Sequence, residues 1–223
     1  MILQKDFSEV LTHPVFEVLQ KAVAESNEKS YVIGGFVRDH LLNRSQKKDI
    51  DVVALGSGID LATTVQKKLE GAKAVQIFKT YGTAMVHWKG IDIEFVGARK
   101  ESYSKESRNP KVEPGTLEED QNRRDFTINA LAISLNPENY GSLIDPFNGL
   151  KDLEEGILRT PLDPDITYSD DPLRMLRAIR FASQLDFTID KASFEAISRN
   201  ANRIDIITKE RIVDEINKIL MTQ

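Results

Sequence analysis

Hydrophobic and polar positions along the first part of the chain switch between helical and strand-like spacing. Apolar residues with helical spacing predict three helices, at 15–27, 36–43 and 59–71. Short runs rich in β-branched and aromatic residues predict strands at 30–35, 49–55, 74–78, 82–88 and 91–97. The turn residue Gly90 joins the last two runs into a predicted hairpin. This alternation predicts an α+β fold for the front of the chain.

From Asp163 onward the strand-like runs nearly vanish and amphipathic helical spacing takes over. Three helices are predicted there, in DPLRMLRAIRFASQL, KASFEAISRNA and KERIVDEINKILM. Pro161 and Pro164 punctuate the change in pattern. We therefore predict a division of the chain into domains at residues 1–161 and 162–223, with an all-helical second part.

Residues 98–120 differ from both parts because they are almost wholly polar and contain two prolines. A segment with so few apolar side chains cannot bury much surface, so its composition predicts a mobile loop. The alternatives at this stage are a loop that only joins two elements and one that takes part in function.

Composition narrows the class of protein. The chain has 223 residues, 40% of them hydrophobic and 29% charged, which is typical of a globular protein with a sizeable core. No cysteine is present, which excludes disulfides, thiolate nucleophiles and cysteine-bound zinc. The net charge of −5 argues against a general nucleic-acid coat but leaves room for a local basic surface. No apolar stretch of membrane-spanning length and no secretory leader is recognisable, so no membrane partner and a cytoplasmic location are expected.

Two pairs of acidic residues stand out on predicted strands. Asp49 and Asp51 share one face of their strand at about 6.6 Å along it, and Asp92 and Glu94 repeat this spacing on another strand. Carboxylates this close repel each other unless a cation lies between them. Acidic oxygens converging from two strands suit hard divalent ions such as Mg²⁺. The alternative is that both pairs lie on solvated faces of edge strands.

A pair of glycines between a predicted strand and a predicted helix offers a place for phosphate. Gly34 and Gly35 would let backbone N–H groups approach a phosphate without a side chain in the way. Arg38 follows on the helix and would pair with a triphosphate or with its neighbour Asp39. The chain lacks G-x-x-x-x-G-K-[ST], so an ordinary P-loop is excluded as the phosphate device.

These motifs, taken with three later ones, resemble a known family. In order along the chain they are GGFVRD (34–39), DIDVV (49–53), RRDFTINALAI (123–133), DPFNGLKDLEEGILRT (145–160) and DDPLRMLRAIRFASQLDF (170–187). The set resembles the polymerase β-type nucleotidyltransferases, and among them the class II tRNA nucleotidyltransferases (CCA-adding enzymes) and bacterial poly(A) polymerases. The resemblance implies a nucleotidyltransferase head with a mixed sheet flanked by helices, followed by an all-helical neck. It also implies attack of an RNA 3′-hydroxyl on the α-phosphate of a nucleotide with release of pyrophosphate.

The resemblance assigns roles to the acidic residues. It implies that Asp49 and Asp51 bind two catalytic Mg²⁺ ions and that a third carboxylate lies nearby in the sheet. Glu94 fits this third position better than Asp92, because family members place the acid five residues before an arginine, as Glu94 stands before Arg99. Asp92 is then expected behind the metal-binding carboxylates or at the surface.

In the family, a carboxylate and an arginine of the DDPLR stretch read the incoming base without a template. Asp171 and Arg174 match them and, three apart on a predicted helix, would share one face. An arginine donor beside a carboxylate acceptor matches cytosine and adenine and leaves unpaired groups against uracil and guanine. The alternative for this spacing is an ordinary salt bridge within a helix.

Further nucleotide-binding residues are implied in RRDFTINA and in the helix after DDPLR. Arg124 would touch phosphate, Asp125 and Asn129 resemble residues that hold the sugar, and Arg177 resembles a pocket residue. Capping of a helix end by Asp125 is the structural alternative. Arg180 is expected to be solvated or to face RNA, whereas four apolar residues of that helix, Leu173, Leu176, Ile179 and Phe181, are expected in the core.

The substrate choice rests on what the chain lacks. Bacterial poly(A) polymerases carry a paired-basic-Phe signature between the aspartate pair and the third carboxylate, whereas AVQIFKTYGTAMV (74–86) has no basic pair. This favours addition of CTP and ATP to the 3′ end of tRNA over poly(A) synthesis, with a C-adding or A-adding specialist as a further alternative. Family members also continue beyond the neck, so the chain is expected to be a truncated form that binds RNA weakly.

Two other classes of protein remain as rivals. One is a nucleotidyltransferase that modifies a protein or a small molecule, against which the DDPLR stretch argues. The other is an inactive RNA-binding module, against which the intact Asp49, Asp51 and Glu94 argue. Transfer of a labelled nucleotide to tRNA or to protein separates these classes.

Overall fold

The structure is a computed structural model that describes residues 2–26, 28–44, 49–79, 82–104 and 107–222. The chain forms two compact units. The first contains Met1–Lys100, Pro114–Asp120 and Leu131–Pro146, and the second contains Glu101–Glu113, Gln121–Ala130 and Phe147–Gln223. Within the described ranges, no helix combines the length and the apolar character required to cross a bilayer. The domain division at residue 161 stays a prediction.

The described strands and helices follow the chain in this order. The strands are β1 (Ile2–Asp6), β2 (Ser30–Ile33), β3 (Asp49–Ala54), β4 (Gln76–Phe78), β5 (Thr83–Trp88), β6 (Ile91–Gly97), β7 (Arg99–Ser104), β8 (Ser107–Pro114), β9 (Ala132–Ser134), β10 (Ser142–Ile144), β11 (Ile157–Leu158) and β12 (Thr188–Ile189). The helices are α1 (Val15–Ser26), α2 (Gly35–Leu41), α3 (Gly58–Lys68), α4 (Leu117–Asn122), α5 (Gly149–Glu155), α6 (Pro164–Asp170), α7 (Leu173–Leu185), α8 (Lys191–Asn200) and α9 (Lys209–Leu220). The front helices and strands predicted from the pattern, and the three helices at the back, are confirmed.

An eight-stranded mixed sheet forms the centre of the first unit. Its order is β1-β10-β9-β2-β3-β6-β5-β4. Strands β3 and β6 are parallel, and the other neighbouring pairs are antiparallel. Lys89 and Gly90 both have positive φ, 47° and 83°, in the tight turn between β5 and β6. The α+β fold class with a mixed sheet is therefore confirmed.

Helices α1 and α3 pack together beside this sheet, and α3 also contacts β3, β5 and β6. The centres of these strands are apolar on both faces, with Val52, Ile93 and Phe95 fully buried. The charged residues Asp49, Asp51, Asp92 and Glu94 are concentrated at the beginnings of β3 and β6. The apolar core thus fixes two strands whose ends carry the acidic side chains.

The second unit is mainly helical. Helix α6 packs on α8, and α7 packs on α9. Strands β11 and β12 form a short parallel pair in the same unit. Arg180 of α7 and Glu215 of α9 form a buried ion pair, with Nε 2.7 Å from Oε2. The expectation that Arg180 is solvated or faces RNA is wrong, because its charge ties two helices together.

Two further expectations from the pattern are wrong. The described part of residues 98–120 is not an irregular loop but contains β7, β8 and α4. Thr116 and Glu119 start α4 with a capping box, in which each side chain accepts a hydrogen bond from the other residue's backbone N–H. The expectation that Ile179 lies in the core is also wrong, because this residue of α7 is 44% exposed.

Candidate functional site

The parallel pairing of β3 and β6 brings the four acidic residues together. Asp49 lies opposite Asp92, and Asp51 lies opposite Glu94. Neighbouring strands are roughly 4.8 Å apart, and alternate residues are roughly 6.6 Å apart along a strand. Because all four positions lie on the same face of the sheet, their carboxylates form a small rectangle in the first unit.

This rectangle forms the floor of a cavity of about 310 Å³. Gly35 and Phe36 line the cavity on the side of β2, and Met85 lines it on the side of β5. The alternative that the acidic pairs lie on edge strands is wrong, because β3 and β6 are interior strands of the sheet, but Asp49 and Glu94 are exposed to solvent. The cavity is open at one side and concentrates negative charge.

The charges in the cavity affect one another. Burial raises the pKa of Glu94, and the negative charges of Asp51 and Asp49 raise that pKa further, while the positive charge of Arg99 opposes the increase. A divalent cation would relieve this repulsion, so the donor chemistry fits Mg²⁺. Among the described residues, however, no group of three or more His, Cys, Asp or Glu side chains already encloses a metal position.

Asp92 has a partner that the other three carboxylates do not share. Its Oδ1 lies 2.7 Å from Nδ1 of His87, which is directly opposite on β5. Both side chains are partly exposed. This contact agrees with the expectation that Asp92 supports the site rather than supplying the third catalytic carboxylate, an assignment that stays a prediction.

The glycine pair lies at the end of β2, beside β3. Gly34 has φ 83° and ψ −137°, a conformation that only glycine adopts readily. Its backbone N–H donates to the carbonyl of Leu131 at 3.1 Å, whereas Gly35 begins α2 and lines the cavity. Any phosphate contact from this pair is therefore expected from Gly35.

Arg38 does not point into open solvent, where it could contact a phosphate directly, but is buried beside Asp39. Its side chain is buried, with the residue 1% exposed, and Nε donates to Oδ1 of Asp39 at 2.8 Å. The structure thus contains the ion pair that the sequence offered as the alternative. Its contact with a triphosphate stays a prediction.

A second cluster of the predicted residues lies in the second unit around Asp125. Oδ1 of Asp125 accepts from the Asn129 side chain at 2.9 Å, and Oδ2 accepts from Arg177 Nε at 2.8 Å and Nη2 at 2.5 Å. Burial alone would raise the pKa of Asp125, but the charges of Arg177 and Arg174 and the hydrogen bonds from Asn129 and Arg177 hold it at about 2. Arg124 donates to the Asn129 carbonyl at 3.3 Å. The helix-cap alternative for Asp125 is wrong, because its carboxylate instead fixes Asn129 and Arg177.

The spacing of Asp171 and Arg174 suggested that both lie on one helix. In the structure they are neighbours, but only Arg174 belongs to a helix. Asp171 is extended, with φ −133° and ψ 95°, between α6 and α7, and its carboxylate accepts from the Leu173 N–H. Arg174 is in the first turn of α7 and is buried. Its guanidinium donates to the carbonyl of Arg123 at 2.6 Å and contacts the Tyr103 hydroxyl at 3.5 Å. These contacts hold the guanidinium against the backbone of Arg123 and the hydroxyl of Tyr103.

Several residues at these two clusters escaped the sequence analysis. Met85 and Tyr103 belong to no recognised motif, and only strand pairing or packing places them. Phe36 lies within GGFVRD, but no role was assigned to it. His87 was assigned no role from the sequence, and its contact with Asp92 depends on the β5–β6 register. A tight turn at Lys89 and Gly90 sets the register of the β5–β6 hairpin, which pairs His87 with Asp92. This contact could therefore have been predicted from the sequence.

Comparison with known proteins agrees with the motifs. A family model described as the Poly A polymerase head domain matches residues 30–159. The chain belongs to the poly A polymerase head family. A second model, described as a probable RNA and SrmB-binding site of polymerase A, matches residues 186–223. The family resemblance and the fold expected from it are confirmed.

Two relatives with different names are similar to this chain. An A-adding tRNA nucleotidyltransferase of Aquifex aeolicus is 40% identical over 194 residues, covering 86% of this chain and 23% of the relative. A CCA-adding enzyme of Ligilactobacillus salivarius is 39% identical over 206 residues, covering 92% of this chain and 48% of the relative. The chain thus spans half or less of the length of these relatives.

A solved structure of a CCA-adding enzyme in an apo form shares the fold. It superimposes with a TM-score of 0.88 at 35% identity, covering 98% of this chain and 53% of that chain. The likeness extends over the head domain and the helical region that follows it.

Proposed function

We propose that this chain is the catalytic part of a template-independent RNA nucleotidyltransferase that adds CTP and ATP to the 3′ end of tRNA and releases pyrophosphate. The observation that carries the proposal is the register that sets Asp49 and Asp51 opposite Asp92 and Glu94 in one cavity beside Gly35. Relatives and a structural neighbour named as CCA-adding enzymes support the choice of substrate.

The proposed chemistry assigns each acidic residue a task. Asp49 and Asp51 would hold Mg²⁺, and Glu94 would complete the donor set on the neighbouring strand. A bound pair of Mg²⁺ ions would supply activation of the attacking hydroxyl and charge neutralisation at the phosphates. Asp92, held by His87, would restrict the movement of the β6 end that carries Glu94.

The phosphates would lie on the β2 side of the cavity. Gly35 and Phe36 at the start of α2 line the cavity, so their backbone N–H groups would be the ones to donate to a phosphate. Gly35 lets the backbone approach closely, and Arg38 behind it adds positive charge. Since Arg38 is buried against Asp39, its effect would be electrostatic unless it changes rotamer.

The residues of the second unit would read the base and hold the sugar. Asp171 and Arg174 would accept from and donate to the exocyclic amine and ring nitrogen that cytosine and adenine share. The contacts of Arg174 with Arg123 and Tyr103 support this role, because a fixed guanidinium discriminates better than a mobile one. Asp125, Asn129 and Arg177 form a connected group that would position the nucleotide, with Arg124 near its phosphates.

An A-adding specialist is the second candidate. The observation that favours it is the 40% identity of this chain, over 194 residues, to the A-adding tRNA nucleotidyltransferase of Aquifex aeolicus. Poly(A) synthesis is less favoured, because residues 74–86 lack the paired basic signature.

The test is nucleotide addition to tRNA transcripts ending before the CCA, after the first C or after the second C. Each transcript is incubated with CTP, ATP, UTP or GTP and Mg²⁺, and the added residues are sequenced. The proposal expects two C residues and then one A, and no transfer by Asp49→Asn. Addition of A alone to the CC-ended transcript supports the specialist, and transfer to none of the RNAs contradicts both.

A further inference from the structure

The acidic face of the sheet continues outward beyond the cavity to its edge. Met85 on β5 lies opposite Glu94, and Gln76 on β4 lies opposite Met85. Phe78 is two residues beyond Gln76, so it lies on the same face. Strand β4 is the last strand of the sheet, and Phe78 is 44% exposed. An apolar and polar surface made of Gln76, Phe78 and Met85 therefore adjoins the third carboxylate.

The order of the strands assigns the two sides of the cavity to different reactants, and this step rests on the proposed function. Gly35 and Phe36 border the cavity on the β2 side, where the phosphates would lie. In phosphoryl transfer the attacking oxygen approaches in line, from the side opposite the leaving group. If pyrophosphate departs toward β2, the RNA 3′-hydroxyl arrives from the direction of β6, β5 and β4.

We propose that Phe78 and Met85 form the seat on which the base of the primer's 3′-terminal nucleotide stacks. Two strand spacings, roughly 10 Å, separate Glu94 from β4, which is within reach of the nucleotide that carries the attacking hydroxyl. Phe78 and Met85 are diagonal cross-strand neighbours on this face, close enough for their side chains to touch. Together they present an apolar platform at the mouth of the cavity.

The charge of the cavity explains why stacking is the suitable interaction here. Four carboxylates line the cavity and repel the phosphates of the primer, so ionic attraction to the cavity floor does not position the terminal nucleotide. Stacking of a base on an aromatic side chain is independent of charge and tolerates any base. An enzyme that adds C, C and then A must accept as terminal base both the base that precedes the first C and a C, and Phe78 meets this requirement. Lys79, which follows Phe78 and is exposed, is available to the adjoining phosphate.

The strand β4 offers a matched control. Ile77 is 45% exposed, as Phe78 is, but it lies on the opposite face of the sheet. The experiment compares Phe78→Ala, Phe78→Tyr and Ile77→Ala in the full chain. The KM for primer and the KM for CTP or ATP are measured separately. A second readout that needs no turnover is the fluorescence of 2-aminopurine placed at the 3′ end of the primer.

The expected result is that Phe78→Ala raises the KM for primer about ten-fold, as loss of one base stack predicts, without changing the KM for nucleotide. Phe78→Tyr keeps the unmodified value, and so does Ile77→Ala. Binding should quench 2-aminopurine in the unmodified chain and in Phe78→Tyr, but only weakly in Phe78→Ala.

Three outcomes overturn the inference. One is absence of quenching in the unmodified chain, and another is equal primer KM values for Phe78→Ala and Ile77→Ala. The third is that Phe78→Ala and Ile77→Ala both change the association state of the protein while 2-aminopurine is still quenched. That result would mean that the edge strand pairs with another protein chain. Quenching that depends on Phe78 in a chain that transfers no nucleotide contradicts the proposed function and keeps the stacking site.

Discussion

Asp51 and Glu94 lie side by side on two parallel interior strands, although no hydrogen-bonded turn or shared helix connects them. Their mutual repulsion, added to burial, keeps the pKa of Glu94 above its ordinary range. Two carboxylates this close repel each other and lower the stability of the folded state. The proposed function gives a reason for keeping them, because both would bind a cation.

Replacement of Asp51 by asparagine should separate activity from stability. Loss of one cation-binding oxygen should lower nucleotide transfer by about a hundred-fold or more, since metal stabilisation of a phosphoryl transition state amounts to several kcal/mol. The same change removes a repelling charge, so the midpoint of thermal unfolding without divalent cations should rise.

The comparison that identifies the third carboxylate uses Glu94→Gln and Asp92→Asn. Glu94→Gln should behave like Asp51→Asn in the transfer assay, whereas Asp92→Asn should lose much less activity. If Asp92→Asn is the more damaging of the two, the role assigned to Glu94 belongs to Asp92.

The ion pair between Asp125 and Arg177 should make stability depend on pH in the acid range. The folded pKa of Asp125, about 2, is below its unfolded value of 3.8, so the stabilisation is complete above pH 3.8 and is lost as the pH falls toward 2. The amount lost is roughly 2 kcal/mol. Urea unfolding of the unmodified chain and of Asp125→Asn at several pH values between 5 and 2.5 measures it.

An exposed ion pair serves as the comparison for this measurement. Asp165, whose pKa is lowered by its hydrogen bond from Arg199, lies at the surface, so solvent screening should make its share small. Asp125→Asn should reduce the change in unfolding free energy between pH 5 and pH 2.5. Asp165→Asn should retain most of that change. Equal slopes for Asp125→Asn and the unmodified chain would contradict the assignment.

The buried pair between Arg180 and Glu215 should control the attachment of α9. Glu215 is 4% exposed and is the buried residue on α9, whereas apolar side chains of that helix such as Val213 and Leu220 are exposed. Glu215→Ala leaves the Arg180 charge without its carboxylate and should cost roughly 3 kcal/mol. Hydrogen exchange should show loss of protection in α9 before the rest of the unit.

Lys218 supplies the control on the same helix. It also contacts Glu215, at 3.1 Å, but its side chain is largely exposed. Lys218→Ala should therefore cost less than about 1 kcal/mol. A loss as large as that of Glu215→Ala would show that the exposed contact between Lys218 and Glu215 contributes as much as the buried pair, which contradicts the prediction.

Selection of the base should depend on the fixed guanidinium of Arg174. Arg174→Lys removes the planar fork that contacts Arg123 and Tyr103 and should reduce discrimination of CTP against UTP by about 10- to 100-fold. The ratio of kcat/KM values for the two nucleotides measures this. Arg199→Lys, an exposed arginine of the same unit, should leave the ratio unchanged. A lower rate with the same ratio would assign Arg174 a structural role.

Local patterns predicted those parts of the fold that short segments determine. The hairpin of β5 and β6 follows from two alternating runs about Gly90, and the acidic spacing placed Asp49 with Asp51 on one face. The hairpin of β7 and β8 was missed because polar residues dominate it. The capping box at Thr116 and Glu119 was present in the sequence as T-x-x-E and could have identified α4.

Long-range contacts account for part of the remaining differences. Arg180 is charged, so composition favoured a role at the surface, and only Glu215, 35 residues further along the chain, makes its burial tolerable. Its position depends on tertiary packing that no local window contains. Asp171 matched a helical spacing but lies between two helices, since Pro172 follows it and disfavours a helical conformation. That departure could have been read from the local sequence.

The two acid pairs belong to strands that are far apart in sequence and meet only when β6 joins β3, after α3, β4 and β5 have been accommodated. Contacts between distant residues form slowly and raise the contact order of a protein. A nascent chain on the ribosome therefore exposes its two acid pairs one after the other, and the four-carboxylate cluster assembles only once residue 97 has emerged. Premature termination before that point would leave a product with the first acid pair alone.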